Sequence, residues 1–363
     1  MQIAKQSSLT GVTDTEAATV IARTDSSLGR ITLNRPRAIN ALDLGMIEQI
    51  TAALTAWVDD TDVQTVLIDG AGERGLCAGG DVRALYDSIT SGHPDHIADF
   101  FRAEYAMNAL IAEYPKPIVV FADGITMGGG IGLAGHAAVR IVTERSRLAM
   151  PETRIGFTPD VGGTWLLGRA PGRLGEYFGL TGQSMNAADA LYLGFADHHV
   201  PSENLDALRD ALATRADPGT PNELTLLFDE TPEPSQLTAA RAWIDEAFSA
   251  DTVGEIMQRL RDSDAPDAAT ALATLEELSP TALAVTLDAV REARAMSGVR
   301  EALEGEYRRV MWFGHNHPDL VEGIRAQLVD KDRDPKWQPA TVAELPSDAG
   351  APARAYVPQP ALF

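Results

Sequence analysis

Along its first half the chain switches between short apolar runs and helical spacing. Residues 18–23 and 30–34 are β-type runs around Asp25-Ser26-Ser27-Leu28-Gly29, a hairpin signal. Asn34-Arg35-Pro36 ends the second strand. Leu42, Met46, Ile50, Leu54 and Val58 recur at helical spacing behind Asp43, which predicts a helix. Residues 63–69 read as a buried strand, followed by a glycine-rich loop over 70–80 and a helix over 81–88. A long helix is predicted over 96–114, a β-branched strand over 117–122 and a loop over 123–127. A short buried helix over 128–137 and strands over 139–143 and 147–150 complete the pattern. Strands without strict alternation, interleaved with helices, predict an α/β fold with a parallel sheet covered on both faces.

Beyond Val200 the β signal fades. Residues 203–330, rich in Ala, Leu, Glu and Arg, read as consecutive helices punctuated by Pro218, Pro221, Pro232, Pro234, Pro266 and Pro280. The implied organisation is a flexible tail (1–15), a core (16–205), a C-terminal helical region (206–345) and a proline-rich flexible tail (346–363).

Composition narrows the function. The chain has 363 residues, 45% of them apolar, enough for a sizeable core. Its net charge of −22 lacks the basic face of a nucleic-acid binder, so no nucleic-acid partner is expected. No uncharged apolar run approaches the length of a membrane span. The lone Cys77 excludes an intrachain disulfide framework. Together with a polar stretch over 1–18 that lacks signal- and transit-peptide features, it points to a cytoplasmic protein.

Two glycine clusters and two acids carry the candidate chemistry. Gly130-x-Gly132-x-x-Gly135 matches the dinucleotide fingerprint in form, but the residues 123–127 separate it from the strand where that motif needs a tight turn. The glycines serve equally for close packing of a helix on a sheet, or for exposing backbone N–H groups to a ligand. Leu76-Cys77-Ala78-Gly79-Gly80-Asp81 follows another strand and can expose amides in the same way, or can be a simple tight turn. Side by side, the two loops would supply two donors to an oxyanion. Glu152 and Asp160 lie on a Pro- and Gly-rich loop among Leu148, Met150, Ile155, Phe157, Val161 and Trp165. Acids on loops are usually solvated, but apolar surroundings raise a carboxyl's pKa and make it a usable base. Cys77 has no base near it in sequence and reads as a small buried side chain. His93/His96 and His315/His317 lack an obvious third ligand, so no metal is expected.

Four segments together resemble the crotonase (enoyl-CoA hydratase/isomerase) superfamily: I-T-L-N-R-P-R-A-I-N-A-L (31–42), G-L-C-A-G-G-D (75–81), P-K-P-I-V-V-F-A-D-G-I-T-M-G-G-G (115–130) and P-E-T-R-I-G-F-T-P-D-V-G-G-T (151–164). The resemblance implies a ββα spiral core that binds acyl-CoA thioesters. The thioester oxygen would sit between the N–H groups of Gly80 and Gly129, with the Ala78 carbonyl near the adenine. Typical hydratases carry one acid just after the glycine run, where this chain has Gly132, and a second at the position of Glu152. Gly132 with Glu152 and Asp160 looks like the 3-hydroxyisobutyryl-CoA hydrolase branch. F-F-R-A-E-Y (100–105), S-P-T-A-L (279–283) and E-G-I-R-A-Q-L-V-D-K-D-R-D-P-K-W (322–337) are similar to that branch too.

The resemblance therefore implies thioester hydrolysis in valine breakdown. Glu152 would act on water or on the carbonyl itself, while Asp160 and Glu104 hold the substrate's 3-hydroxyl. Arg35, Arg37 and Arg83, with Arg37 foremost, would meet the CoA phosphates. No cofactor is implied beyond the substrate's own CoA. Related proteins often form trimers, but the helical region could cover that surface within a monomer. The rival readings are an enoyl-CoA hydratase or isomerase, and a non-catalytic acyl-CoA-binding protein.

Overall fold

The computed structural model describes residues 18–214 and 220–363, so the expected N-terminal tail over 1–15 lies outside the described residues. The chain opens with a hairpin of β1 (Val20–Asp25) and β2 (Leu28–Leu33), antiparallel from Val20↔Leu33 to Asp25↔Leu28. Its turn is only Ser26-Ser27, with Ser26 at φ 52°. The second strand therefore starts inside the expected turn, and Leu28 is buried there. Helix α1 (Leu44–Trp57) begins at Asp43, whose side chain accepts from Met46 N–H (2.9 Å).

Next come β3 (Thr65–Gly70), α2 (Val82–Thr90), α3 (Ile97–Ala112), β4 (Ile118–Ala122), β5 (Ile125–Met127), α4 (Gly129–Ala134), β6 (Val139–Val142) and β7 (Arg147–Ala149). After α5 (Gly163–Arg169), α6 (Leu174–Thr181) and α7 (Ala187–Leu193), the short β8 (His198–His199) completes the strands. The main sheet runs β1-β2-β3-β4-β6-β8 and is parallel beyond the first pair. Every residue of β4 is buried, as a strand covered on both faces requires.

β5 corrects the expectation of a loop over 123–127. Three residues are too short to show a period. They are strand because β7 pairs with them on one side and Cys77 bridges to Thr126 on the other.

The remaining chain is helical: α8 (Leu205–Thr214), α9 (Pro221–Thr225), α10 (Leu237–Phe248), α11 (Val253–Arg261), α12 (Ala268–Glu277), α13 (Pro280–Ala293), α14 (Val299–Asn316), α15 (Asp319–Ile324) and α16 (Ala351–Arg354). α13 packs on α5 and α6, and α14 packs on α3 and α5. The segment expected as a loose tail, 346–363, is bound to this layer. Arg354 pairs with Asp288, Tyr307 Oη donates to the Pro360 carbonyl (3.2 Å), Arg102 Nε donates to the Ala361 carbonyl (3.0 Å), and Leu362 is buried. Its prolines leave carbonyls free, and side chains of α3 and α14 take them up. No helix among the described residues is long and apolar enough to cross a membrane.

Candidate active site

The small β5–β7 sheet gathers three distant segments. Cys77 N–H donates to the Ile125 carbonyl (3.1 Å) and Met127 N–H to the Cys77 carbonyl (2.9 Å). This lays the 75–80 loop along β5. Gly128 N–H donates to the Ala149 carbonyl (3.2 Å), which ties the glycine run to the strand leading into Glu152. Gly128 itself sits at φ 48°, ψ −117°, a conformation for which only glycine is suited. On the other side, Leu42 N–H donates to the Gly79 carbonyl and Asp81 N–H to the Leu42 carbonyl, both at 2.8 Å. A Cβ on Gly129 would lie 3.3 Å from Gly80 N, so the two amides are neighbours. Neither amide has an acceptor among the described residues.

These amides open on a cavity of about 280 Å³. Ala78, Gly80, Gly129, Glu104, Glu152 and Asp160 all line it, and Phe100, Phe101 and Phe157 form much of its apolar wall. Glu104 comes from α3, Glu152 from a 3-10 turn (Glu152–Ile155) and Asp160 from the loop before α5. All three carboxyls are buried, at 2%, 7% and 6% exposure, and none has an ion-pair partner among the described residues. Glu104 Oε1 and Glu152 Oε2 are buried without a hydrogen-bond partner. Burial first, and then the charge of Asp160, pushes both glutamates well above the usual carboxylate range. Burial lifts Asp160 to about 7, although a hydrogen bond from Tyr105 pulls the other way.

The position at which hydratases carry their first acid is closed. A Cβ on Gly132 would lie 2.7 Å from Asn108 Nδ2 and 2.8 Å from Val161 Cβ. Cys77 is buried, and burial pushes its thiol up to about 12, which removes it as a nucleophile. His93 and His96 stack on each other at 5.0 Å, His315 pairs with Asp95 (3.0 Å), and the described residues hold no group of three or more His, Cys, Asp or Glu that could bind a metal ion.

The three arginines are not brought into the cavity. Arg35 is taken by Asp43 (3.2 Å), Asp81 (3.3 Å) and the Ala41 carbonyl (2.6 Å), and so supports the glycine loop from outside. Arg83 donates to the Leu328 carbonyl (2.5 Å), clamping α2 to the segment after α15. The Arg37 side chain is exposed and has no partner among the described residues. Two of the three are thus committed to acceptors of the fold, which spacing alone does not reveal.

Two participants escaped sequence reasoning. Tyr105 Oη donates to Asp160 Oδ2 at 2.8 Å. Glu306, on α14, accepts from Gly162 N–H, Thr164 N–H and Thr164 Oγ1. A signal for Glu306 existed: with Leu303, Val310 and Phe313 it falls on the apolar stripe of α14, where a charge is out of place.

A family model described as enoyl-CoA hydratase/isomerase matches residues 28–351. The mitochondrial 3-hydroxyisobutyryl-CoA hydrolase of Xenopus laevis is 42% identical over 328 residues, spanning 88% of this chain and 84% of the relative. A carnitinyl-CoA dehydratase structure from Mycobacterium thermoresistibile superposes with a TM-score of 0.90 at 44% identity, covering 96% of this chain and 99% of its own. An enoyl-CoA hydratase structure from Rhodobacter sphaeroides gives 0.89 at 42%, covering 95% and 100%. The crotonase-like fold is thus shared along nearly the whole chain, helical region included. The cytoplasmic expectation is corrected by the mitochondrial relatives. A lone cysteine excludes an intrachain disulfide but does not separate one reducing compartment from another.

Proposed function

The chain belongs to the enoyl-CoA hydratase/isomerase family, and from that premise we propose that it is a thioesterase converting 3-hydroxyisobutyryl-CoA and water to 3-hydroxyisobutyrate and CoA. One observation carries the reading: two unpaired glycine amides and the buried carboxyls of Glu152 and Asp160 share one small cavity. The relative from Xenopus laevis bears the name of that activity.

In this mechanism the thioester oxygen accepts from Gly80 and Gly129 N–H, which stabilise the charge that develops there. Glu152 takes a proton from water, and the resulting hydroxide adds to the carbonyl carbon. The tetrahedral oxyanion collapses, the C–S bond breaks, and the departing thiolate takes up the proton. Burial raises the proton affinity of Glu152, which makes its carboxylate a stronger base toward water. The same geometry permits direct attack by Glu152, giving a mixed anhydride that water then opens. A single turnover in heavy-oxygen water tests the second route: label in Glu152 appears only if Glu152 attacks the thioester and water then opens the anhydride at the Glu152 carbon.

Asp160 and Glu104 hold the 3-hydroxyl, and the Ala78 carbonyl meets the adenine. Of the three arginines, Arg37 alone keeps an uncommitted guanidinium for the CoA phosphates. The reaction is a step of valine breakdown. It draws on no cofactor beyond the CoA of the substrate.

A hydratase or dehydratase reading has one observation in its favour, the names of the two similar solved structures. Against it stands the space at Gly132, which Asn108 and Val161 fill. Thiol release from 3-hydroxyisobutyryl-CoA, run beside crotonyl-CoA, tests the choice. The thioesterase frees CoA from the first and leaves the second unhydrated. Hydration of crotonyl-CoA with no thiol from either substrate overturns it.

A further inference from the structure

Asp160 reaches the cavity on a loop whose backbone is costly. Val161 has φ 52°, in the left-handed region that β-branched residues avoid, and Gly162 follows at φ 77°. Such a conformation persists only where the surroundings over-determine it. Two side chains do so, the half-buried His136 and the buried Glu306. His136 Nε2 donates to the Val161 carbonyl (2.8 Å). From the opposite side Glu306, only 1% exposed, accepts from Gly162 N–H (2.7 Å), Thr164 N–H (2.9 Å) and Thr164 Oγ1 (2.5 Å). The loop also closes on itself, Gly163 N–H donating to the Asp160 carbonyl (2.6 Å).

Glu306 has no ion-pair partner among the described residues, and burying a carboxyl without a cation is expensive. An apolar residue would serve the packing of α14 better. What a carboxyl does here, and an amide cannot, is accept through both of its oxygens from two successive stretches of one loop. The same loop conformation turns Asp160 inward beside Glu152 and lays Val161 against Gly132.

The geometry assigns Glu306 as a positioning residue: from the C-terminal helical layer it holds residues 160–164 in the strained conformation that aims Asp160 into the site. This rests on the thioesterase reading for its kinetic consequence, but not for its structural one. The loop does not keep this shape on local preference. The helical layer is therefore part of the catalytic apparatus, not only a cover.

Glu306→Gln keeps the volume but turns an amide NH2 toward a backbone N–H, so one end of the clamp is lost. Thr164→Val removes only the hydroxyl bond, and Thr164→Ser keeps it. We expect kcat on 3-hydroxyisobutyryl-CoA to fall about 10²-fold in Glu306→Gln, as for a misplacement of roughly 1 Å. In Thr164→Val it falls roughly 3- to 10-fold, the worth of one hydrogen bond. KM changes little in either, and Thr164→Ser restores the rate. Amide hydrogen exchange at Gly162 and Thr164 is measured on the same proteins and does not depend on turnover. Faster exchange in Glu306→Gln and Thr164→Val, but not in Thr164→Ser, supports the clamp even if no thioester is cleaved, in which case only the thioesterase reading fails. Unchanged exchange overturns the clamp. So does a kcat within twofold of the wild type in both Glu306→Gln and Thr164→Val. If Glu306→Gln does not fold, Thr164→Val against Thr164→Ser decides by the same criteria.

Discussion

Tyr105 donates its phenolic hydrogen to Asp160 across 2.8 Å, at a place where both side chains are buried. Burial holds the phenol well above its ordinary pKa, so it stays a donor throughout the working range. The bond stabilises the charged form of Asp160 and offsets part of what burial does.

Tyr105→Phe removes that bond and leaves the ring. Asp160 then rises further above its value of about 7. If the charged form holds the substrate hydroxyl, the acid limb of kcat/KM moves to higher pH. A pH–rate profile of the variant checks this; an acid limb that stays in place or moves down contradicts it.

Several buried acids of this site favour protonation in the folded state. Asp160 is lifted from 3.8 to about 7 and Glu306 from 4.5 to about 8, burial being the main cause in both. Between those limits the folded protein holds protons that the unfolded chain has released. Their contribution to stability is fully present below the unfolded values and is lost as pH rises through the folded ones. Each such proton is worth up to about 1.4 kcal/mol per pH unit. The melting temperature is therefore expected to be higher near about pH 5.5 than near about pH 8.5, and Asp160→Asn is expected to flatten the difference. Melting curves across that range check the sign. Stability that climbs steadily with pH would contradict it.

Gly132→Glu puts an acid where hydratases carry one, but the site has no room. Its Cβ would meet Asn108 and Val161 at under 3 Å. The expected result is a loss of about 1–3 kcal/mol in denaturant unfolding, with no crotonyl-CoA hydration gained. A stable, hydrating variant would show that Val161 and Asn108 do not close that space.

Gly129→Ala keeps its backbone N–H but adds a methyl 2.6 Å from Glu104 Oε1. Glu104 must shift, and the acyl end of the cavity narrows. Turnover should fall about 10²-fold with the melting temperature little changed. The comparison of kcat with melting separates a blocked site from a damaged fold.

The sheet and the two glycine loops were legible because their chemistry is local: an unbroken apolar run marks β4, and Gly128–Gly130 cannot be ordinary helix surface. Glu152 and Asp160 stood out because acids among apolar neighbours are conspicuous. Tyr105 and Glu306 did not, since their meaning lies in partners 55 and 144 residues away. β5 was hidden by its length. The ion pairs that commit Arg35 to Asp43 and Asp81 were not legible, since Asp81 lies 46 residues away. The C-terminal segment looked loose by composition, yet side chains from α3 and α14 bind its carbonyls.

Glu152→Gln, assayed by thiol release from 3-hydroxyisobutyryl-CoA and by equilibrium binding of that substrate, tests the central claim most directly. The expected outcome is a fall in kcat of about 10²–10⁴-fold with binding retained. Turnover within twofold of the unaltered protein would contradict Glu152 as the group that drives the cleavage.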